Sequence, residues 1–235
     1  MDSNTARIAE NVAEVRQRIA EAAARCGRPA DAVTLVAVTK YVGPDLMRAV
    51  AEAGCPDLGE SRAQQLWERA AAIRDLAVRW HMVGHLQRNK VRRTLPLVWL
   101  LHSVDSLALI EAVDRVAGEL SLRRSVLLEV NVSGEASKDG LEPAAVEPLL
   151  AELPNYAHVQ VRGLMCMAAL EGGLETGRRN FASLRELRDR LRPRLPEGVC
   201  LDELSMGMSG DYEVAVEEGA TIVRIGSALF TGVEP

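Results

Sequence analysis

The sequence predicts a closed α/β barrel. Eight short runs of β-forming residues can be laid out along the 235-residue chain, and each is followed by helical sequence. Such alternation implies a parallel sheet covered by helices, and eight repeats at this length favour closure over an open doubly wound sheet. The apolar palette agrees: aromatics make up 3% of the chain, so the core must be built from Val, Leu, Ile and Ala, which suits buried parallel strands. With no linker, low-complexity segment or longer internal repeat, residues 1–235 read as one domain.

An additional helix precedes the first strand. Ile8, Val12, Val15 and Ile19 recur at helical spacing, Asn4 or Ser3 offers an N-cap, and Gly27 followed by Arg28-Pro29 ends it. Residues 34–39 (TLVAVT) form the first strand, and Pro44 opens a helix to about Ala53. Asp57-Leu58-Gly59 is a short second strand, followed by a helix through Arg74. Residues 80–83 are the third, with a short helix after Gln87. Strands over 98–102 and 125–132 flank a helix over 106–119, and Pro143 opens the helix before the sixth strand, 159–165. A helix from Arg178 carries Phe181, Leu184, Leu187 and Leu191 on one face. Residues 203–206 and 221–225 complete the eight strands, around a short helix over 211–218.

Composition narrows the function classes. A formal charge of −5 argues against nucleic acid as the main partner. Cys26, Cys55, Cys166 and Cys200 are far apart with no CxxC pair, as expected of free thiols in a reducing compartment. Met1 leads into a polar stretch over residues 2–5 without the pattern of a secretory leader, and no apolar run approaches the ~20 residues of a membrane span. A cytoplasmic monomer is expected.

In such barrels the active face lies at the C-terminal ends of the strands. Lys40 ends the first strand, directly after Leu35-Val36-Ala37-Val38, and is one of only three lysines among 28 cationic residues. Partial burial there would disfavour the ammonium and make the neutral amine available as a nucleophile. Two loops after the seventh and eighth strands, Ser205-Met206-Gly207-Met208-Ser209-Gly210 and Val223-Arg224-Ile225-Gly226-Ser227, combine glycine with small hydroxyls. Backbone N–H groups and Ser hydroxyls in such turns can cradle a phosphate. Closure places the first strand beside the eighth, making Lys40 and the segment 224–227 neighbours. A Schiff-base lysine beside a phosphate cradle, with an arginine between, suits a phosphorylated aldehyde, and pyridoxal 5′-phosphate fits that description.

Val38-Thr39-Lys40, Gly84-His85-Leu86-Gln87-x-Asn89-Lys90, Asn131-Val132-Ser133-Gly134, Gly163-Leu164-Met165, Leu204-Ser205-Met206-Gly207-Met208-Ser209 and Val223-Arg224-Ile225-Gly226 resemble the pyridoxal phosphate homeostasis protein family over nearly the whole chain. That family is similar in fold to the barrel domain of alanine racemase. The resemblance implies a Schiff base on Lys40, phosphate ligands at Ser209, Gly226 and Ser227 with Met208 in the same loop, and Arg224 facing the pyridine nitrogen. An arginine there discourages ring protonation, which makes the ring a poor electron sink. The implied role is a non-catalytic carrier that buffers the cofactor and delivers it to pyridoxal phosphate-dependent apoenzymes. Two departures stand out: Gly59-Glu60-Ser61 where the family has Gly-Glu-Asn, and Phe230-Thr231-Gly232 where it has Phe-Gly.

Two other functions use the same lysine. An amino-acid racemase needs a second acid–base group, commonly a tyrosine, and Tyr41, Tyr156 and Tyr212 do not stand in a matching context. A Schiff-base aldolase of a sugar phosphate would need no cofactor. His81 and His85 have the spacing of a helical metal pair but straddle a strand end without an HExxH glutamate, so packing or loop hydrogen bonding accounts for them and no metal site is expected. Glu60 and Asp211 lie near the expected mouth with no assigned role. Arg88, Lys90, Arg92 and Arg93 read as a solvated helix face.

Overall fold

A computed structural model describes residues 3–135, 138–169, 171–197 and 199–233; Met1 and Asp2 of the polar opening stretch lie outside them. Eight parallel strands close into a barrel in sequence order. They are β1 (Thr34–Val38), β2 (Asp57–Glu60), β3 (Arg79–Met82), β4 (Val98–Val104), β5 (Arg124–Glu129), β6 (Val159–Met165), β7 (Glu203–Ser205) and β8 (Ile222–Ile225). The helices are α1 (Ser3–Arg25), α2 (Pro44–Glu52), α3 (Ala63–Ala72), α4 (Val91–Thr94), α5 (Leu107–Glu119), α6 (Pro143–Glu152), α7 (Gly173–Leu191) and α8 (Tyr212–Glu217). None is long and apolar enough to cross a membrane.

The expected eight strands and leading helix are all present; most boundaries move by one or two residues, and three differences have a structural reason or consequence. Ser3 and Asn4 fall inside the first turn of α1 rather than capping it. Strand β5 stops at Glu129 because Val130 turns to bridge Leu141, and the Asn131 amide donates to the Leu141 carbonyl at 2.9 Å. Helix α7 begins at Gly173, not Arg178, and its buried stripe of Phe181, Leu184, Leu187 and Leu191 is prolonged by Gly177. A glycine on the core face carries no hydrophobic signal, so that first turn leaves no trace in the periodicity.

The core has two parts. Between sheet and helices lies a continuous apolar layer, to which α1 contributes Ile8, Val12, Val15, Ile19 and Ala22. Helix α1 also pins the end of the chain, because the buried Asn11 amide donates to the carbonyls of Leu229 (3.1 Å) and Thr231 (3.0 Å). Inside the barrel, Val36, Leu100, Leu127, Met165 and Ile222 form a separate plug. Side chains alternate along a strand. Val38, His102, Glu129 and Arg224, each two residues beyond a plug residue, therefore share the interior face on its C-terminal side. The plug is a floor, and these four positions are what stands on it.

Closure is made by β1 and β8, with Val36 opposite Arg224 and Ala37 opposite Ile225. Glycine permits a comparably close approach at Gly163, where an added Cβ would overlap the backbone carbonyl of Glu203 on β7. Gly163→Ala should therefore force β6 and β7 apart and cost about 2–3 kcal/mol, as overpacking a close-packed site does. Urea unfolding of the variant checks this; a midpoint equal to the parent's refutes it.

Candidate functional site

A cavity of about 490 Å³ opens at the C-terminal ends of the strands, and Lys40, Met208, Ser209, Arg224, Gly226 and Ser227 all line it. Its size is ordinary for a small-molecule site. Lys40 lies just beyond β1 and is half-buried, with its Nζ 4.8 Å from the centre of the exposed Tyr41 ring. The backbone around it is braced from below. Arg69 on α3 donates to the carbonyls of Lys40 (3.1 Å) and Val42 (3.2 Å) and pairs with Glu60 at the end of β2. Glu60 also accepts from the Thr39 hydroxyl at 2.7 Å. Burial pushes Glu60 up, against the pull of Thr39 and Arg69. Glu60 thus holds the lysine loop through Arg69.

The two glycine–serine loops meet beside Lys40. The Ser209 hydroxyl accepts from the Gly226 and Ala228 amides at 3.2 and 3.4 Å, so two N–H groups converge on one oxygen. Asp211 accepts from the Met208 amide at 2.6 Å, which explains it as a brace of this loop. Gly207 has φ 93°, and a Cβ there would lie 2.6 Å from the Ala215 Cβ, so the turn needs glycine. Gly226 packs on the Val38 carbonyl, where a Cβ would lie 3.5 Å away. Closure thus brings the segment after β8 against the end of β1.

Arg224 is 4% exposed, and its guanidinium donates to Ser205 Oγ (2.6 Å) and the Cys166 carbonyl (2.9 Å). Burial pulls its pKa down, with Cys166, Glu129 and Asp211 opposing, but a guanidinium stays protonated in a protein. From Ser205 a buried chain crosses the barrel. Ser205 Oγ lies 2.8 Å from His102 Nδ1, His102 Nε2 lies 2.9 Å from His81 Nδ1, and His81 Nε2 lies 3.0 Å from Asp57 Oδ1. Arg79 closes the far end on Asp57 with two bonds, at 2.7 and 2.6 Å. Arg224 can only donate to Ser205, which leaves the serine hydrogen free to go to His102. His102 then carries its proton on Nε2 and donates to His81, which donates from its own Nε2 to Asp57. Every donor points from Arg224 towards Asp57. Burial, then His81 and Arg224, keep His102 well below the ordinary histidine value, hence neutral. Burial alone would raise Asp57, but the hydrogen bonds from His81 and Arg79 outweigh it.

Several cavity residues were not singled out from sequence. Glu129 ends β5, is 4% exposed, and receives no hydrogen bond on its carboxylate among the described residues. Burial raises it to about 7, with Arg224 opposing and Asp105 and Asp139 adding to the rise. Asp139 also lines the cavity, and His85 accompanies it with Nδ1 3.0 Å from Asp105 Oδ2. Donor atoms of His85, Asp105 and Asp139 lie within 4.8 Å of one another. Tyr41, Ser61 and Phe230 complete the mouth, so both departures from the family pattern border the cavity. The signal for Glu129 was a charged residue closing an apolar strand, masked by a strand expected to run on to 132. His81 and His85 do not form a pair, since one is inside the barrel and the other at the mouth. Of the basic stretch, Arg92 pairs with Glu119 and Arg93 stacks over Trp67 at 4.3 Å, away from the cavity.

The fold and this site define a class: the alanine racemase N-terminal domain model matches residues 4–234. Chains resembling this one are more specific. A pyridoxal phosphate homeostasis protein of Aquifex aeolicus is 41% identical over 94% of this chain and 96% of its own, and one of Pseudomonas aeruginosa is 40% identical over 95% and 94%. The chain belongs to the pyridoxal phosphate homeostasis protein family. Among solved structures, PipY of Synechococcus elongatus with PLP bound superposes with a TM-score of 0.84 at 37% identity, covering 95% of this chain and 99% of PipY. Alanine racemase of Clostridium difficile shares the fold alone, with a TM-score of 0.73 at 13% identity over 94% of this chain and 56% of its own.

The raised Glu129 predicts a pH signature. The native protein holds a proton that the unfolded chain, with its ordinary value near 4.5, releases. That contribution is complete below about 4.5 and lost as pH rises through about 7. The carboxylate is surrounded by Arg224 from β8, Asp105 after β4, Asp139 after β5 and His85 after β3. Glu129→Gln removes this titration, so its stability relative to the parent should rise with pH between these limits by at most about 1.4 kcal/mol per unit. Urea unfolding at pH 5 and pH 8 checks it; a pH-independent difference contradicts it.

Proposed function

We propose that this chain holds pyridoxal 5′-phosphate at the barrel mouth as a Schiff base on Lys40, and serves intracellular homeostasis of that cofactor by buffering and delivering it. The observation that carries the reading is the convergence, through β1–β8 closure, of a half-buried lysine, a two-loop amide and hydroxyl cradle, and a buried arginine on one cavity. The donor set fits the group: an amine for the aldehyde, Ser209, Gly226 and Ser227 for the phosphate with Met208 beside them, and a permanent N–H donor in Arg224 for the ring nitrogen. The names of the relatives and the PLP-bound PipY support the same cofactor.

When bound, the cofactor supplies an electrophilic aldehyde carbon. The chain's part is then to hold. Arg224 keeps a proton off the ring nitrogen, and the Glu60–Arg69 brace fixes the Lys40 backbone. The racemase reading lacks the tyrosine it commonly uses. Tyr156 and Tyr212 do not line the cavity, and Tyr41 adjoins Lys40 itself. Residues 1–235 act as one domain in this reading, a cytoplasmic monomer whose recipients are pyridoxal phosphate-dependent apoenzymes.

Absorbance tests the reading directly. Protein supplied with pyridoxal 5′-phosphate should show a visible imine band that borohydride fixes onto the Lys40 peptide, and Lys40→Ala should lose both. A colourless parent overturns the cofactor, and a band retained in Lys40→Ala overturns the lysine. Ser209→Ala should retain the band but release the cofactor about tenfold more readily on dialysis, the effect of losing one hydrogen bond to a charged group. Clear interconversion of alanine or serine enantiomers by chiral chromatography would replace the carrier with a racemase.

A further inference from the structure

The cavity has two chemically different sides. Lys40 and the cradle occupy the ends of β1, β7 and β8, whereas the ends of β3 and β5, across the ring, bring His85, Glu129 and Asp139 to the cavity, with Asp105 after β4 behind His85. The cofactor reading above draws its lysine, phosphate and ring-nitrogen contacts from the first side. On the second, Glu129 is a residue 4% exposed in the cavity wall, and among the described residues no hydrogen-bond donor meets its carboxylate. A carboxylate in such a place favours a hydrogen-bonded cationic partner. Arg224 acts on it only through space, since its guanidinium hydrogen bonds go to Ser205 and the Cys166 carbonyl.

We propose that the acidic wall is a second subsite, which admits a primary amine as its ammonium cation and uses Glu129 to carry that amine's proton during exchange at Lys40. The inference rests on the cofactor reading above and names the acceptor class that delivery requires. The exchange balances. The ammonium gives one proton to Glu129, and its nitrogen bonds the aldehyde-derived carbon while the bond from that carbon to the Lys40 nitrogen breaks. A second proton passes from the incoming nitrogen to Lys40, and Glu129 then returns the first to the freed amine. No electron is gained or lost. A group titrating near neutrality suits both halves of this transfer. Asp139, exposed, and Asp105, partly so, add an attractive field for cations and a repulsive one for anionic amines.

The test uses the parent protein loaded with pyridoxal 5′-phosphate, in EDTA to keep divalent cations off His85, Asp105 and Asp139. Stopped-flow decay of the imine band is followed with cadaverine, alanine and glutamate, which carry net charges of about +2, 0 and −1 near neutral pH. Cadaverine should exchange at least about tenfold faster than glutamate. Glu129→Gln should erase most of that ratio and flatten the pH dependence near 7, and Asp139→Asn should reduce the ratio with the pH profile kept. A second readout avoids exchange. After borohydride locks the cofactor on Lys40, calorimetry should detect cadaverine binding that Glu129→Gln weakens about tenfold. Equal rates for the three amines, or a ratio and binding unchanged in Glu129→Gln, would overturn the proposal while leaving the cofactor site standing. A parent that never acquires the imine band would overturn the cofactor reading, and the second subsite with it.

Discussion

The buried charge of Arg224 is the constraint around which the barrel interior is built. A guanidinium at 4% exposure without a carboxylate hydrogen-bonded to it would be prohibitively desolvated unless its N–H groups were met and its charge answered elsewhere. Ser205 and the Cys166 carbonyl meet two N–H groups, and the answering charge lies at the other end of the chain through His102 and His81, on Asp57. Each member fixes the next: the serine hydrogen, one proton on each imidazole, and the carboxylate that Arg79 holds from outside. An interior otherwise filled by Val36, Leu100, Leu127, Met165 and Ile222 thereby gives up one lane to polar groups. The direction of the hydrogen bonds is set at both ends, since Arg224 only donates and Asp57 only accepts. With one proton on each ring, the tautomers of the two buried histidines follow from that direction.

Much of this arrangement was legible in the sequence, and the part that was not has a common cause. Lys40 at the end of an apolar run, the glycine–serine loops and their adjacency by closure depend on local pattern plus one topological rule. They could be read because strand ends declare themselves. The hydrogen-bonded chain depends on register between strands. His81 and His102 lie 21 residues apart, and Ser205 lies 103 beyond His102. No spacing rule for one element brings them together, so His81 read as a packing histidine and the chain stayed hidden. Glu129 was missed by three residues: a strand expected to reach 132 places the carboxylate in mid-strand, not at the mouth. Glu60 and Asp211 were noticed without a role because their partners, Arg69 and the Met208 amide, become neighbours only in the folded loops.

The charge distribution follows from the same register. On the interior face, positions two residues above the plug carry a cation on β8 and an acid on β5, on different sides of the ring. Had Arg224 and Glu129 been paired directly, each would have neutralised the other, and the mouth would have presented neither. The neutral relay to Asp57 removes the need for that pairing, since the compensating carboxylate sits at the far end of the barrel. Arg224 is left with donors to spare, and Glu129 with a proton near neutrality.

This separation bears on why a site of this kind would hold a cofactor without activating it. Electron withdrawal by a pyridine ring is strongest when its nitrogen carries a proton, and a neighbour that never gives up its own proton opposes that state. Burial shifts Arg224 downward, but a guanidinium has too far to fall for the shift to make it an acid near neutral pH. The relay reinforces the point: a histidine held neutral and donating towards Asp57 turns no N–H of its own to the mouth. The interior polar chain therefore fixes the donor direction at the ring-nitrogen end of the proposed site. The proton-handling capacity stays across the cavity on Glu129, where it bears on exchange at the lysine rather than on chemistry at the ring.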